Sequence, residues 1–326
     1  MSITKGQVNK AGDMLRQNQN NEVALDLLSA WRSMHAYPLK LAFDLLKRHT
    51  DKIGNHALYG QRLKRVHSII YKLRRLPDSK LSRIQDIGGC RVILTNYDRV
   101  RELYQDLKRG RSILKNHKDY ITYPKNDGYR SIHLIYQCKS KISEFNDLKI
   151  EFQLRTKLQH AWATAVEIVD SFEGQNLKLG GGDVEWRRFF YLVADEFAKL
   201  ECLPLHDNSI TIDRISEIRK LTQSLQVIDK LRSYPILIKQ ISNANEMADY
   251  YIVRLDIPQK SIFVAQTHDI EIAQNIYIEL EKQHLNDNDV NVVLVRGSSI
   301  KNLKKAYPNY FGDAEIFLTN LNKILS

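Results

Sequence analysis

Cysteine is scarce in this chain. Its 326 residues include three, Cys90, Cys138 and Cys202, with no C-x-x-C spacing and no even pairing. That excludes a disulfide framework and predicts reduced, buried thiols in a cytoplasmic protein. Also missing is any run of about 18 apolar residues, so no membrane-spanning helix is expected. The opening MSITKGQVNKAGDML has no apolar core of the kind a secretory signal needs. Internal repeats and low-complexity tracts are absent as well. Acidic residues are the minority: 38 Asp and Glu against 49 Lys and Arg leave a net charge of +11. The partners that charge favours are anionic, namely nucleotides, RNA or an acidic protein.

What is present supports real cores, with 43% hydrophobic residues. The length suits one large domain plus a smaller one. Residues 1–60 read as an N-terminal helical segment packing on the larger domain, with two helices in Glu22–Lys47 interrupted near Pro38. Arg62–Leu73 reads as a helix. Its stripe is Leu63, Val66, Ile70 and Leu73, and Lys64, Ser68 and Lys72 form a ridge at four-residue steps on the other side. Ile87–Leu94 is expected to be a buried strand and Tyr97–Lys108 the helix after it. Ser131–Gln137 and Lys149–Arg155 read as two more strands joined by SKISEFND. Helices are expected at Thr156–Val169 and Val184–Leu200, separated by the turn at Gly180, Gly181 and Gly182. The character changes near residue 205. A helical linker over 205–245, with Ile215–Ser233 at its centre, leads to an α/β module over 246–326. That module holds strands near Tyr250–Leu255, Ser261–Ala265 and Val290–Val295 and a helix over Ile270–Gln283. The fold class is therefore α/β, a mixed sheet flanked by helices with a smaller C-terminal module.

The densest chemistry lies in IEFQLRTKLQHAW, residues 150–162. Leu148, Ile150, Phe152 and Leu154 alternate with Lys149, Glu151, Gln153 and Arg155. A half-buried strand of that period sets Glu151, Gln153 and Arg155 side by side on its open face. Such a row serves equally as a solvated sheet face or as a phosphate-and-metal site. Arg62 and Arg65 flank the Lys64–Ser68–Lys72 ridge, which has the length and charge a polyphosphate needs. Asp86 opens the next strand, Gly88 and Gly89 permit close backbone approach, and Arg91 sits among apolar neighbours. A cation there is costly unless it meets an anion or stacks on a base. The loop from Lys118 to Arg130 interleaves Lys118 and Lys125 with Tyr120, Tyr123 and Tyr129, and Pro124 and Gly128 mark its turn. Tyr129, Ser131 and His133 are expected on one face, with Tyr129 a stacking platform for a base or a structural tyrosine.

Taken in order, R-L-K with S-I-I-Y-K (62–72), D-I-G-G-C-R (86–91), K-D-Y-I (118–121), P-K-N-D-G-Y-R-S-I-H (124–133) and E-F-Q-L-R-T (151–156) resemble the synthetase domain of the RelA/SpoT family. The resemblance implies a synthetase domain over 61–204 that transfers pyrophosphate from ATP to the 3′-hydroxyl of GDP or GTP, releasing AMP. It further implies that Arg62 and Arg91 sandwich adenine and that Lys64, Ser68 and Lys72 hold the ATP phosphates. Asp86 and Glu151 would bind Mg²⁺, and Glu151 would be metal ligand, general base or both. Gln153 would orient a reactant and Tyr129 would stack on the acceptor base. Lys118, Lys125 and His133 would lie near the acceptor phosphates.

Two departures bear on the acceptor. Asn116 stands where the family often has Arg, and the loop reads Asn126-Asp127-Gly128-Tyr129 where it often reads Pro-Asn-Gly-Tyr. Asp127 can accept from guanine N1–H and N2–H₂ or from adenine N6–H₂. A toxin acting on the 3′-terminal adenosine of tRNA, with the C-terminal module as inhibitor or sensor, is thus the alternative acceptor reading. An inactive nucleotide- or RNA-binding regulator is a third. A second copy of the chain or an antitoxin are the protein partners expected, and no membrane. About 60 residues precede Arg62, too few for the family's hydrolase domain. His206-Asp207 and His268-Asp269 lack further ligands at metal spacing and read as chance pairs.

Overall fold

In the computed structural model the described residues are 3–326 apart from 55, 115, 207–212, 238, 243–246, 286, 288 and 298. Three helices come first. α1 (Lys5–Gln17) starts at Thr4, whose hydroxyl takes the Gln7 N–H while the Gln7 side chain returns to the Thr4 N–H. Asn21 caps α2 (Glu22–Met34) in the simpler way. α3 (Ala36–Ile53) begins at once. The interruption expected near Pro38 falls at His35 instead, because Pro38 lies in the first turn of α3, where a missing N–H breaks no helical bond.

The rest of the order is β1 (Leu58–Leu63), α4 (Val66–Arg75), β2 (Gly88–Leu94), α5 (Tyr97–Lys108), β3 (Lys118–Asp119), β4 (Ile132–Gln137), β5 (Lys149–Thr156), α6 (Lys157–Glu173), α7 (Val184–Leu200), α8 (Arg214–Ser224) and α9 (Val227–Leu237). Then come β6 (Lys239–Ser242), β7 (Tyr250–Asp256), β8 (Ser261–Thr267), α10 (Ile270–Gln283), β9 (Val290–Arg296), α11 (Ile300–Ala306) and α12 (Glu315–Leu325). The strands make one mixed sheet in the order β3-β4-β5-β2-β1-β9-β7-β8-β6. β2 and β5 are parallel, with Gly89 opposite Glu151 and Arg91 opposite Gln153. β1 runs antiparallel to β2 and carries β9 on its other side. The sheet thus continues from the part expected to be catalytic into the C-terminal part.

Contrary to the helix expected over Arg62–Leu73, Arg62 and Lys64 are not helical. Leu58–Leu63 is a strand, and the helix begins only at Val66. The a/d-like spacing hid this because a strand and the first helical turn both leave Leu63 and Val66 inside. The expected helix over Ile215–Ser233 is two, α8 and α9, broken where Gln226 takes a left-handed φ of 54°. Cys90 and Cys138 are buried as expected, but Cys202 is exposed just past the end of α7.

Ile150, Phe152 and Leu154 of β5 face one core with Val92, Leu134 and Leu28, all fully buried. A second core joins α6 and α7 to α12 through Trp186, Phe189, Phe190, Phe317 and Leu321. Among the described residues no helix is long and apolar enough to cross a membrane.

Candidate active site

The open face of β5, β2 and β1 carries three linked clusters. In the first, Asp86 lies just before β2 and meets two cations. Lys64 Nζ donates to its Oδ2 at 2.9 Å and Lys72 Nζ to its Oδ1 at 2.8 Å. Burial pushes this carboxyl up, but the two ammonium groups outweigh it and hold it at about 2. Lys64 reaches the acid from the turn after β1 and Lys72 from α4, so the expected ridge is not one helix face: only Ser68 and Lys72 lie on α4, and the two lysines meet at Asp86 from different elements.

The second cluster is built on the β5 alternation. Glu151 Oε1 takes a hydrogen bond from His133 Nδ1 at 2.9 Å, and Gln153 Nε2 donates to Glu151 Oε2 at 2.8 Å. His133 lies opposite Gln153 in the β4–β5 register. Its Nε2 is 2.8 Å from Tyr129 Oη, to which Arg155 also donates. Burial works against an imidazolium here, yet Tyr129 and Glu151 on either side push His133 up to about 9. Burial raises Glu151 too, and the facing His133 reverses this and holds it at about 2. Tyr129 is drawn below the usual phenol range by Arg155 and His133, against its burial. Lys125 Nζ sits 4.6 Å from the centre of the Tyr129 ring and 4.8 Å from that of Tyr120. Gly128 makes this loop possible. Its φ is +90°, and a Cβ there would come 2.6 Å from Ala194 Cβ. Ser131 does not join Tyr129 and His133, since its hydroxyl donates to the Leu154 carbonyl at 3.1 Å.

The remaining loop residues spread out. Lys118 is paired with His133 across the β3–β4 register and is exposed. Asp127 is exposed and its Oδ1 accepts the Tyr129 N–H at 2.9 Å, so one oxygen serves the turn itself.

The third cluster centres on Arg62 and Arg91, neighbours on β1 and β2. Arg91 Nε is 3.5 Å from Gln153 Oε1. Burial, then Arg155 and Arg62, push Arg91 down to about 10, a sign of cations crowded together. Glu167 on α6 counters them. Burial would raise it, but Lys178, which it pairs with directly, and then Arg91 and Arg62 hold it well below the carboxylate range. Over the same face lies the C-terminal turn Pro308–Phe311. Tyr310 Oη accepts from Arg62 Nη1 at 3.4 Å, and Tyr307 donates to the Gln61 carbonyl at 2.8 Å. Gly60 gives Tyr307 its room, since a Cβ there would sit 2.8 Å from the phenol oxygen.

Sequence reasoning left several of these residues out. Arg155 was visible in the alternation but not in the expected site. Glu167, Lys178, Tyr307 and Tyr310 carried no local signal, because only packing of α6, the 177–179 turn and the residues at 307–311 brings them to the sheet. Of the two His-Asp pairs, His206 bonds to Tyr191 at 3.0 Å and Asp207 lies outside the described residues. His268 pairs with Asp249, and Asp269 caps α10.

Could this face hold a divalent cation? Among the described residues no cluster of three or more His, Cys, Asp or Glu is poised for a metal. The carboxyls of Asp86 and Glu151 are both held low, at about 2, and Asp86 is close enough to act on the charge of Glu151. Two carboxylates completed by substrate oxygens are a donor set Mg²⁺ commonly takes, so the residues fit.

Residues 61–169 match the family model described as the region found in RelA / SpoT proteins. Over 108 residues the chain is 34% identical to the GTP pyrophosphokinase YjbM of Bacillus subtilis (strain 168), covering 32% of this chain and 51% of that one. It is 32% identical over 110 residues to GTP pyrophosphokinase YwaC of the same organism, covering 32% of this chain and 52% of the relative. The chain thus spans about half the length of these curated relatives. Among solved structures, small alarmone synthetase 1 from Bacillus subtilis bound to its product pppGpp aligns over 60% of this chain and 98% of that one, at 23% identity and a TM-score of 0.44. The chain carries a RelA/SpoT region, as its five ordered motifs led us to expect.

Proposed function

We propose that this chain is a Mg²⁺-dependent pyrophosphokinase that moves the β,γ-pyrophosphoryl group of ATP to the 3′-hydroxyl of GDP or GTP. The observation that carries the reading is the shared face. Asp86 is held between Lys64 and Lys72 just before β2. Glu151 lies on the adjacent β5, opposite Gly89, and is backed by His133 and Tyr129. Lys64, Ser68 and Lys72 would take the phosphates of ATP, while Arg62 and Arg91 would take its base. Tyr129, Lys125, Lys118 and His133 would face the acceptor. When bound between Asp86 and Glu151, Mg²⁺ would spread the charge that builds on the transferring phosphoryl oxygens. An ionised Glu151 can accept the proton of the attacking 3′-hydroxyl as the new O–P bond forms and the bond to the AMP oxygen breaks. Gln153 bonds Glu151 and lies beside Arg91, a place from which it can orient either reactant.

A second reading concerns the C-terminal part. Tyr310 and Tyr307 lie against Arg62 and Gln61, so the part after residue 246 covers the face that the ATP base would use. This supports a resting enzyme shut by its own C-terminal turn. The acceptor of such a gated enzyme is either a guanosine nucleotide or the 3′ end of tRNA, and guanosine is preferred here. The deciding experiment supplies labelled ATP with GDP, GTP and deacylated tRNA in parallel. Label in GDP or GTP supports the reading, label in tRNA alone replaces the acceptor, and no label in any of the three with Tyr310→Ala rejects the activity.

A further inference from the structure

Away from the site, one buried charge cluster joins the two ends of the chain. Arg32 on α2 is 2% exposed. Its Nη1 donates to Glu281 Oε2 at 2.5 Å, its Nη2 to Tyr277 Oη at 2.5 Å and its Nε to the Lys64 carbonyl at 2.9 Å. Glu281 and Tyr277 share α10, and Tyr277 Oη donates to Glu281 Oε1 at 3.1 Å. The same Oε1 accepts the Val66 N–H at 2.9 Å. Val66 is the first residue of α4, and its N-cap residue, Arg65, offers no side-chain cap. All of these groups therefore meet at the turn 64–66. That turn delivers Lys64 to Asp86 and launches the helix bearing Ser68 and Lys72.

Neither half of this arrangement is stable alone. The free N–H groups and positive end of α4 call for an acceptor, preferably an anion. A guanidinium as buried as Arg32 cannot be left without a counter-charge. One carboxylate of α10 answers both needs. The other charge pairs in this region are weaker ties. Lys282–Asp26 is largely exposed on both sides, and Arg296–Asp44 is 3.5 Å apart and half exposed on the acid.

We propose that Glu281 is a latch, fastening α10 to the 64–66 turn so that docking of the C-terminal part and the order of the start of α4 rise and fall together. With the covering role proposed for Tyr310, on which this functional consequence rests, opening the latch is one step in exposing the Arg62–Arg91 face.

The test uses the full chain. Glu281→Gln keeps an acceptor for Val66 N–H but removes the charge facing Arg32. Hydrogen exchange read peptide by peptide is expected to accelerate about tenfold or more in both α10 and the first turn of α4, with α5 at its parental rate. Acceleration in α4 alone would mean a local cap and overturn the latch. So would an unchanged α10, or a rise shared by α5, which marks general destabilisation. Should Glu281→Gln fail to fold, Tyr277→Phe, which deletes only the bridging hydroxyl, is read by the same criteria with a smaller rise. Affinity for a non-hydrolysable ATP analogue separates the two ideas. A gain of about tenfold in Tyr310→Ala together with parental exchange in α10 of Glu281→Gln would reject the latch and keep the cover. Coupled exchange without a gain in either variant would keep the latch and reject the cover.

Discussion

Asp86 and Glu151 are the residues on which the proposed chemistry turns, and their partners separate two kinds of loss. Asp86→Asn removes a candidate metal ligand but also releases Lys64 and Lys72 from their ion pairs. Turnover should fall by about a hundredfold or more while ATP-analogue binding holds or improves, because two cations become free for phosphate. Glu151→Gln should lose turnover to a similar degree with both substrates still bound. AMP release at the parental rate by either variant, with saturating acceptor, would reject the assignment. On the acceptor side, Asp127→Asn is an unusually clean change. Asn retains the Oδ1 that accepts the Tyr129 N–H, so the turn persists while the exposed second oxygen becomes a donor. The ratio of transfer to GTP over transfer to tRNA, at fixed salt, is expected to rise by about one decade, since a mismatched polar contact costs about 1–3 kcal/mol. A constant ratio would put Asp127 outside the contacts that read the base.

At the scale of elements, β5 was legible because a period of two has only one explanation for a strand with one fully buried face. Ile150, Phe152 and Leu154 are buried and Glu151 and Gln153 only partly so, as the alternation requires, whereas Arg155, expected on the open face, is buried at the end of the strand. The loop at Gly128 was legible too, since its backbone demands a residue without a Cβ. β1 was not legible. Leu58–Leu63 holds Gly60, Gln61 and Arg62 in its middle, and becomes a strand through pairing with β2 and β9 on its two sides. The corner between α2 and α3 makes a prediction of its own. His35 is buried there, with its Nδ1 2.8 Å from the Trp31 carbonyl, and burial pushes it down to about 4 although that hydrogen bond favours the proton. Between about pH 6.5 and 4 the unfolded chain binds a proton that the folded chain refuses, so stability present at pH 7 drains away as pH falls through this window. The loss should approach about 3 kcal/mol. Urea midpoints measured from pH 7 to 4.5 should drop less steeply in His35→Gln. Parallel curves for the two forms would remove His35 as the cause.

At the scale of the molecule, the C-terminal part is woven in on three sides. β9 covers the edge of β1, α12 seals the apolar faces of α6 and α7, and α10 grips the 64–66 turn. A chain ending near residue 204 would expose the β1 edge together with Trp186, Phe189 and Phe190, and is expected to aggregate. Tyr310→Ala in the full chain is the gentler way to uncover the site. It should raise ATP-dependent transfer about tenfold or more, whereas Ile316→Ala, an exposed site on α12, should change nothing. Equal rates for Tyr310→Ala and the parent would show that the 308–311 turn does not obstruct ATP. The amino-acid order by itself determined the local pieces: the alternating strand, the glycine turn and the five ordered motifs with their carboxylates and cations. Each of these needs only neighbours in sequence. Tertiary structure alone decided that Lys64 and Lys72 close on one acid from different elements, and that Tyr129 and Glu151 flank His133 and favour its proton. It also decided that Tyr307 and Tyr310 return across more than 240 residues to lie on Arg62 and its neighbour. Contacts at that separation depend on how sheets and helices pack, and no short-range pattern encodes them.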